Sequence, residues 1–214
     1  KSILAAQASI QYLNISDWES STYKPTPTII EAAQALYKGH HVQEISRSDS
    51  GAINLSRTAK SINHIIETAK AKKQKSICFL TGVPGAGKTL AGLNIANERL
   101  KADESEHSVF LSGNGPLVDV LREALARDSV ETAKEKGDKL KKADAEREAK
   151  AFIQNIHHFR DDNLNTEKAP IEKVVVFDEA QRAWQKEQVS KFMKTKKGID
   201  NFEMSEPEYL ISVM

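Results

Sequence analysis

Apolar residues along the chain fall into two patterns, one at helical spacing and one as short unbroken runs. In "TPTIIEAAQALYKG" the spacing predicts a helix, with Thr26 as N-cap, Pro27 at the first helical position and Gly39 as the stop. Between Ser56 and about Lys72, Ala59, Ile62, Ile65, Ile66 and Ala69 recur on one face and predict a second helix that docks on the segments downstream of it. Leu117, Val118, Val120, Leu121, Ala124 and Leu125 mark another. The unbroken runs are Ile77 to Thr81, residues 108–112, and Val174 to Phe177. Each reads as a short strand, the last with four apolar residues in a row, as when both faces of a sheet are covered. "AFIQNIHHF" fits helix or strand. Strands separated by helices predict an α/β fold with a mostly parallel sheet.

The connecting stretches are polar. Residues 1–24 show no clear period and read as a boundary or linker, as do residues 40–55. Residues 129–150 alternate in charge and are poor in apolar side chains, which predicts a solvated helix or a mobile insertion with a break at Gly137. The expected organisation is an N-terminal extension over 1–50 carrying a helix, followed by a nucleotide-binding domain over 51–214. No internal repeat is visible.

Composition narrows the class without naming it. With 214 residues, 39% hydrophobic and 29% charged, the chain has the make-up of an ordinary globular protein with room for a real core. A net charge of +1 predicts neither a nucleic-acid coat nor an acidic partner, so any basic surface must be local. The single cysteine, Cys78, sits inside an apolar run and is expected to be buried. That cysteine count fits a reducing compartment, and with no signal peptide and no run near the ~20 apolar residues of a membrane span the expected location is cytoplasmic. The chain opens at Lys1 and stops in what reads as an unfinished helix after Ser205, so a fragment of a longer protein is expected.

The first strand-like run breaks into Gly82-Val83-Pro84-Gly85-Ala86-Gly87-Lys88-Thr89, a full match to G-x-x-x-x-G-K-[ST]. A triphosphate needs many N–H donors aimed inward, and glycine lets the backbone curl tightly enough to supply them. The helix that comes next adds its positive end beneath the phosphates. Lys88 is placed for the β- and γ-phosphates, and the Thr89 hydroxyl for Mg²⁺. Asp178, at the end of "VVVF", is the candidate second metal ligand, and Glu179 the candidate base for an attacking water. Adjacent His157 and His158 have no nearby cysteine or carboxylate at metal-ligand spacing, so packing or surface exposure is expected of them rather than a zinc site.

"DEAQRAW" (178–184) resembles the second motif of superfamily 1 helicases. Together with "GVPGAGKTLAGLN", "FLSGNGPLVDVLREAL" and "IQNIHHFRDD", it resembles a bacterial family of P-loop NTPases, the schlafen group 3-like DNA/RNA helicase domain, also described as a domain of unknown function. The likeness covers about residues 50–214 and extends faintly through "YKPTPTIIEAAQALY". It implies a RecA-like motor domain, incomplete at its C-terminus, that uses ATP and Mg²⁺. It also implies single-stranded or duplex nucleic acid as partner and a second motor domain downstream, where an arginine for the transferring phosphate would lie. By the same resemblance, Gln181 couples hydrolysis to the strand, and Ser112, Gly113, Asn114 and Gly115 touch nucleic acid; as chemistry alone, that segment is equally a turn and helix cap. Gln74 stands too near the loop and Gln43 too far to assign adenine recognition. Two other functions stay in view: a nucleotide-gated switch in a defence or stress system, and a small-molecule kinase.

Overall fold

The computed structural model describes residues 15–19, 27–40, 45, 49–102, 107–164 and 168–214. Thr26 and Gln43, two of the sequence candidates, lie outside them. The elements run α1 (Ile15–Glu19), α2 (Ile29–Lys38), α3 (Asp49–Lys72), α4 (Lys88–Ala102), β1 (His107–Ser112), α5 (Gly115–Glu135), α6 (Lys142–Phe152), β2 (Ile153–Asn155), α7 (Ile156–Asn163) and β3 (Glu172–Asp178). After β3 come a 3₁₀ turn (Ala180–Arg182), α8 (Lys186–Phe192), a π-helical turn (Met193–Lys197) and α9 (Glu206–Val213).

The three strands form a parallel sheet in the order β2-β1-β3. Alternation along β1 divides its side chains between two apolar layers. Phe110 faces the larger layer, with Leu93 and Ala96 of α4, Val118, Leu121 and Leu125 of α5, Phe152 of α6, and Ala32, Ala33 and Leu36 of α2. Val109 and Leu111 face the other, with Ile156 and Phe159 of α7 and Leu210 of α9. Phe110, Leu111, Leu121 and Ile156 are fully buried, each stabilising the fold by roughly 1.5–3 kcal/mol. Both faces of β3 are covered as expected, since Val176 joins the first layer and Val175 and Phe177 the second. As an edge strand it remains only half-buried along its length.

Several local expectations shift. The α2 N-cap is Thr28, not Thr26, because Thr28 and Glu31 form a reciprocal capping box (Glu31 N–H to Thr28 Oγ1, 3.2 Å; Thr28 N–H to Glu31 Oε2, 2.7 Å). Pro27 therefore precedes the cap, while Gly39 ends the helix at φ 99° as expected. Helix α3 begins earlier, at Asp49, and leaves Ile65 exposed. Ala59 of the predicted face is buried and Leu55 packs on the core, and polar contacts join the helix to α4: Arg99 Nε donates to Asn63 Oδ1 (2.8 Å) and pairs with Glu67, and Asn63 Nδ2 donates to Glu98 (2.7 Å). The 129–150 stretch does break at Gly137 (φ 81°), but it is no loose insertion, because Ala145, Ala149 and Phe152 bury one face of α6 in the core.

The largest departure concerns Ile77 to Thr81. Residues 74–83 adopt no regular secondary structure and join no strand of the sheet. Phe79 is 87% exposed, Ile77 and Val83 are exposed, and so is Cys78, which the sequence pattern placed inside. A strand exists only through its ladder of hydrogen bonds, and this run makes none with the sheet, although the outer edge of β3 carries no strand among the described residues.

Candidate nucleotide site

Register sets the site. Ser112 pairs with Asn155 on one side and Asp178 on the other, so the carboxyl ends of all three strands finish level. In open parallel sheets that end is where ligands bind. Helix α4 leans over the same end with no side chain between it and the sheet at Gly92: a Cβ there would meet Val176 Cγ1 at 3.0 Å and Phe110 Cε2 at 3.3 Å. Thr89 lies one turn before Gly92 on the same helix face, and Asp178 two residues after Val176 on the same strand face. The close crossing thus delivers hydroxyl to carboxylate. Thr89 Oγ1 lies 3.1 Å from Asp178 Oδ1 and 3.2 Å from Oδ2, bridging 89 positions of sequence.

Burial pushes the Asp178 carboxyl above its ordinary value, and the neighbouring Glu179 adds to that, while the Thr89 hydrogen bond and the charge of Lys88 pull the other way. A half-buried carboxylate whose ionisation is opposed by its surroundings, next to a hydroxyl, is a hard-oxygen pair that suits Mg²⁺. The described residues hold no cluster of three or more His, Cys, Asp or Glu able to grip a metal alone. Mg²⁺ asks only for one or two protein ligands, with phosphate oxygens and waters completing its shell.

The phosphate loop leads into α4, whose first two residues are Lys88 and Thr89. Gly85 (φ 77°) and Gly87 (φ 84°) take left-handed conformations that other residues adopt only at a cost. Gly82, Val83, Pro84, Gly85 and Ala86 are exposed, and Gly87 half-buried. Lys88 Nζ folds back to donate to the carbonyls of Gly82 (2.8 Å) and Val83 (3.0 Å). Its ammonium is therefore already at the mouth of the loop, held by acceptors that phosphate oxygens can replace.

Glu179 occupies φ 56°, ψ 40°, a left-handed conformation costing a non-glycine residue about 1–2 kcal/mol. Its Oε2 accepts from the Gln181 amide, and the Arg182 guanidinium lies 3.7 Å away. The bend carries the chain into the 3₁₀ turn, where Arg182 N–H bonds back to Glu179 O at 2.8 Å. Arg182 also lies under the loop after β1: a Cβ on Gly113 would sit 3.4 Å from Arg182 Cβ.

The sequence profile described as Schlafen group 3, DNA/RNA helicase domain, matches residues 75–214. The chain belongs to this family. The match takes in the phosphate loop, both carboxylates and everything beyond, and starts later than the resemblance read from the motifs alone. No curated protein and no solved structure matches the chain.

Other candidate residues of this schlafen group 3 helicase domain fall into place unevenly. Ser112 is fully buried and its Oγ accepts from Asn114 N–H (3.2 Å), so it shapes the turn from inside. Asn114 occupies the N-cap position of α5 without a side-chain cap bond. His157 and His158 lie on α7, not on a strand, because Asn155 caps that helix by accepting from His157 N–H (2.9 Å). His157 also has a carboxylate partner that spacing did not reveal, Glu206. Gln74 is an exposed residue whose N–H bonds back to Ala69 at the end of α3. Among the described residues no helix is long and apolar enough to cross a membrane.

Proposed function

We propose that the chain binds Mg²⁺-ATP and hydrolyses it, as the RecA-like first motor domain of a superfamily 1-type DNA/RNA helicase or translocase. Residues 51–214 would form the motor domain and 1–50 an N-terminal extension or linker carrying a helix. The observation that carries this reading is the contact of Thr89 Oγ1 with the Asp178 carboxylate, which brings the phosphate loop and the acidic strand end to one point.

Each side chain then has a task. The backbone of Gly82–Thr89 receives the triphosphate. Lys88 exchanges its bonds to the Gly82 and Val83 carbonyls for β- and γ-phosphate oxygens. Thr89 and Asp178 hold Mg²⁺, which when bound neutralises charge on the phosphates. Glu179 takes a proton from the attacking water, and Gln181, hydrogen-bonded to its carboxylate, aims it. Gly113 lies against the same turn through Arg182, so nucleic acid contacting the Gly113–Asn114 loop would be relayed to Glu179 through that one residue. Family membership supports nucleic acid as the partner; a downstream second motor domain is the partner that would move.

The test is the ATPase rate with and without single-stranded DNA or RNA, measured on the chain together with its downstream domain. Marked stimulation is expected. A slow rate indifferent to nucleic acid would instead favour a nucleotide-gated switch, and phosphate transfer to a metabolite a kinase.

A further inference from the structure

A buried charge cluster stands behind the site and has no part in holding nucleotide. Arg160 of α7 and Glu206 of α9 are both fully buried, 46 positions apart in sequence. One carboxylate oxygen of Glu206 accepts from Arg160 Nη1 at 2.8 Å and meets His157 Nδ1 at 2.5 Å. The other accepts the Trp184 N–H at 2.8 Å, while the N–H of Glu206 donates to the Trp184 carbonyl at 3.0 Å. Arg160 is held in turn by Asp161 (Nε 3.0 Å, Nη2 2.8 Å), whose second oxygen binds Lys197 at 2.8 Å. The guanidinium lies 5.4 Å from the Trp184 ring centre and 5.0 Å from that of Phe192, and the His157 ring is 4.3 Å from Trp184.

Stability alone is a poor reason for such a pair, since an apolar pair of like volume often serves a buried position as well or better. What the pair grips is more informative. Glu206 holds the backbone of Trp184 at both its N–H and its C=O. Trp184 closes a short path that starts at Asp178, and between the two lie left-handed Glu179 and the 3₁₀ turn bearing Gln181. The Asp178 end is fixed by the β1–β3 ladder and by Thr89. A sparsely populated backbone conformation persists only where its surroundings over-determine it, and here both ends are tied.

We propose that Glu206, oriented by Arg160, is a positioning residue for hydrolysis: it fixes the Asp178–Trp184 turn and so the direction of the Glu179 carboxylate. It acts through that turn, its partners being Arg160, His157 and the Trp184 backbone. The proposal rests on the hydrolytic reading of Glu179 under Proposed function.

The test compares two variants of the full chain, Glu206→Gln and the double variant Arg160→Met with Glu206→Leu. ATP turnover, affinity for a non-hydrolysable ATP analogue with Mg²⁺, and amide exchange at Arg182, Ala183 and Trp184 are measured for each. In both, analogue affinity stays within about twofold, exchange of those three amides speeds up, and kcat falls about ten- to a hundredfold with KM little changed. A pair that only stabilises the fold predicts normal kcat in the apolar double variant. Turnover within about twofold of wild type in either folded variant overturns the proposal, whatever the exchange does. Should the double variant not melt cooperatively, the near-isosteric Glu206→Gln decides. A wild-type chain that binds ATP without turning it over sinks the hydrolytic reading by itself. Exchange then decides for the clamp, and unchanged protection at Trp184 overturns it.

Discussion

Two apolar runs lead into the two halves of the site, Ile77–Thr81 before the phosphate loop and Val174–Phe177 before Asp178, and only the second is a strand. They are close in length and β-propensity. They differ in neighbours. Val174–Phe177 pairs along one edge of β1, with α4 over one face and α7 and α9 over the other. Ile77–Thr81 pairs with nothing in the sheet and leaves Phe79 in water. Apolar patterning states what a segment would bury; only a completed ladder with covered faces makes it a strand. One consequence is mechanical. The acidic half of the site is preset by the sheet, while the loop half is held through its own helix and by Lys88 bonding its own loop.

The largest effects come from removing the chemistry of each half separately. Glu179→Gln keeps the shape of the preset half and removes its base; turnover should fall by about 10²–10⁴ while ATP-analogue affinity is retained. Normal hydrolysis in that variant would falsify the base assignment. Lys88→Ala should reduce turnover on the order of 10²–10³ and also weaken nucleotide binding, since the lysine is the cation of the adaptable half. Equilibrium binding of a fluorescent ATP analogue separates the two outcomes: affinity kept in the first, lost in the second.

Stability measurements probe the same contrast away from the chemistry. Phe110→Ala empties a fully buried position on β1 and should cost about 3–5 kcal/mol in denaturant unfolding. Phe79→Ser, at 87% exposure, should change stability by no more than about 0.5 kcal/mol. A cost at Phe79 comparable to that at Phe110 would mean the loop run is buried in solution, and the comparison would break. Between them lies Gly92→Leu. With Val176 Cγ1 only 3.0 Å from a would-be Cβ, overpacking should cost about 1–3 kcal/mol and lift Thr89 away from Asp178, so Mg²⁺-dependent binding should fall with it.

What was legible in the sequence was local. The glycine loop, the helix starting beside Gly87, β1, β3 and the Asp178–Glu179 pair each announce themselves within a window of a few residues, and strand register together with the close crossing of α4 at Gly92 brings them together. Errors arose where a long-range partner decides the outcome. Ile77–Thr81 forms no ladder with the sheet, which its own pattern does not reveal. "AFIQNIHHF", open between helix and strand, holds both, since Ile153–Asn155 is β2 and Asn155 then caps α7. Nothing in the spacing of His157, Arg160 and Glu206 indicates that they meet, because the folding of α9 beneath the turn at Trp184 unites them. Ser205 and Glu208 do form the capping box their spacing permits (Ser205 N–H to Glu208 Oε2, 2.7 Å), but that places the start of α9, not its neighbours.

The smallest predicted effect has the most telling sign. Burial raises the Asp178 carboxyl above its ordinary 3.8, with Glu179 adding to the shift, so in the ligand-free protein the folded state holds this proton more firmly than the unfolded state. Between the ordinary value and the raised one the folded state binds more protons, and stability contributed by this group falls as pH rises through that window. Above it the full penalty remains, and at neutral pH Asp178→Asn should modestly raise the thermal midpoint of the ligand-free chain. Addition of Mg²⁺ and nucleotide reverses the order, because the charged carboxylate then meets the cation it is placed for and the wild type gains stabilisation by binding that the amide cannot match. Thermal melts of both proteins, with and without Mg²⁺-ATP analogue, read the crossing directly. If Asp178→Asn is no more stable alone and is stabilised as much by the ligand, Asp178 is an ordinary strand-end residue and the preset half of the site loses its reason.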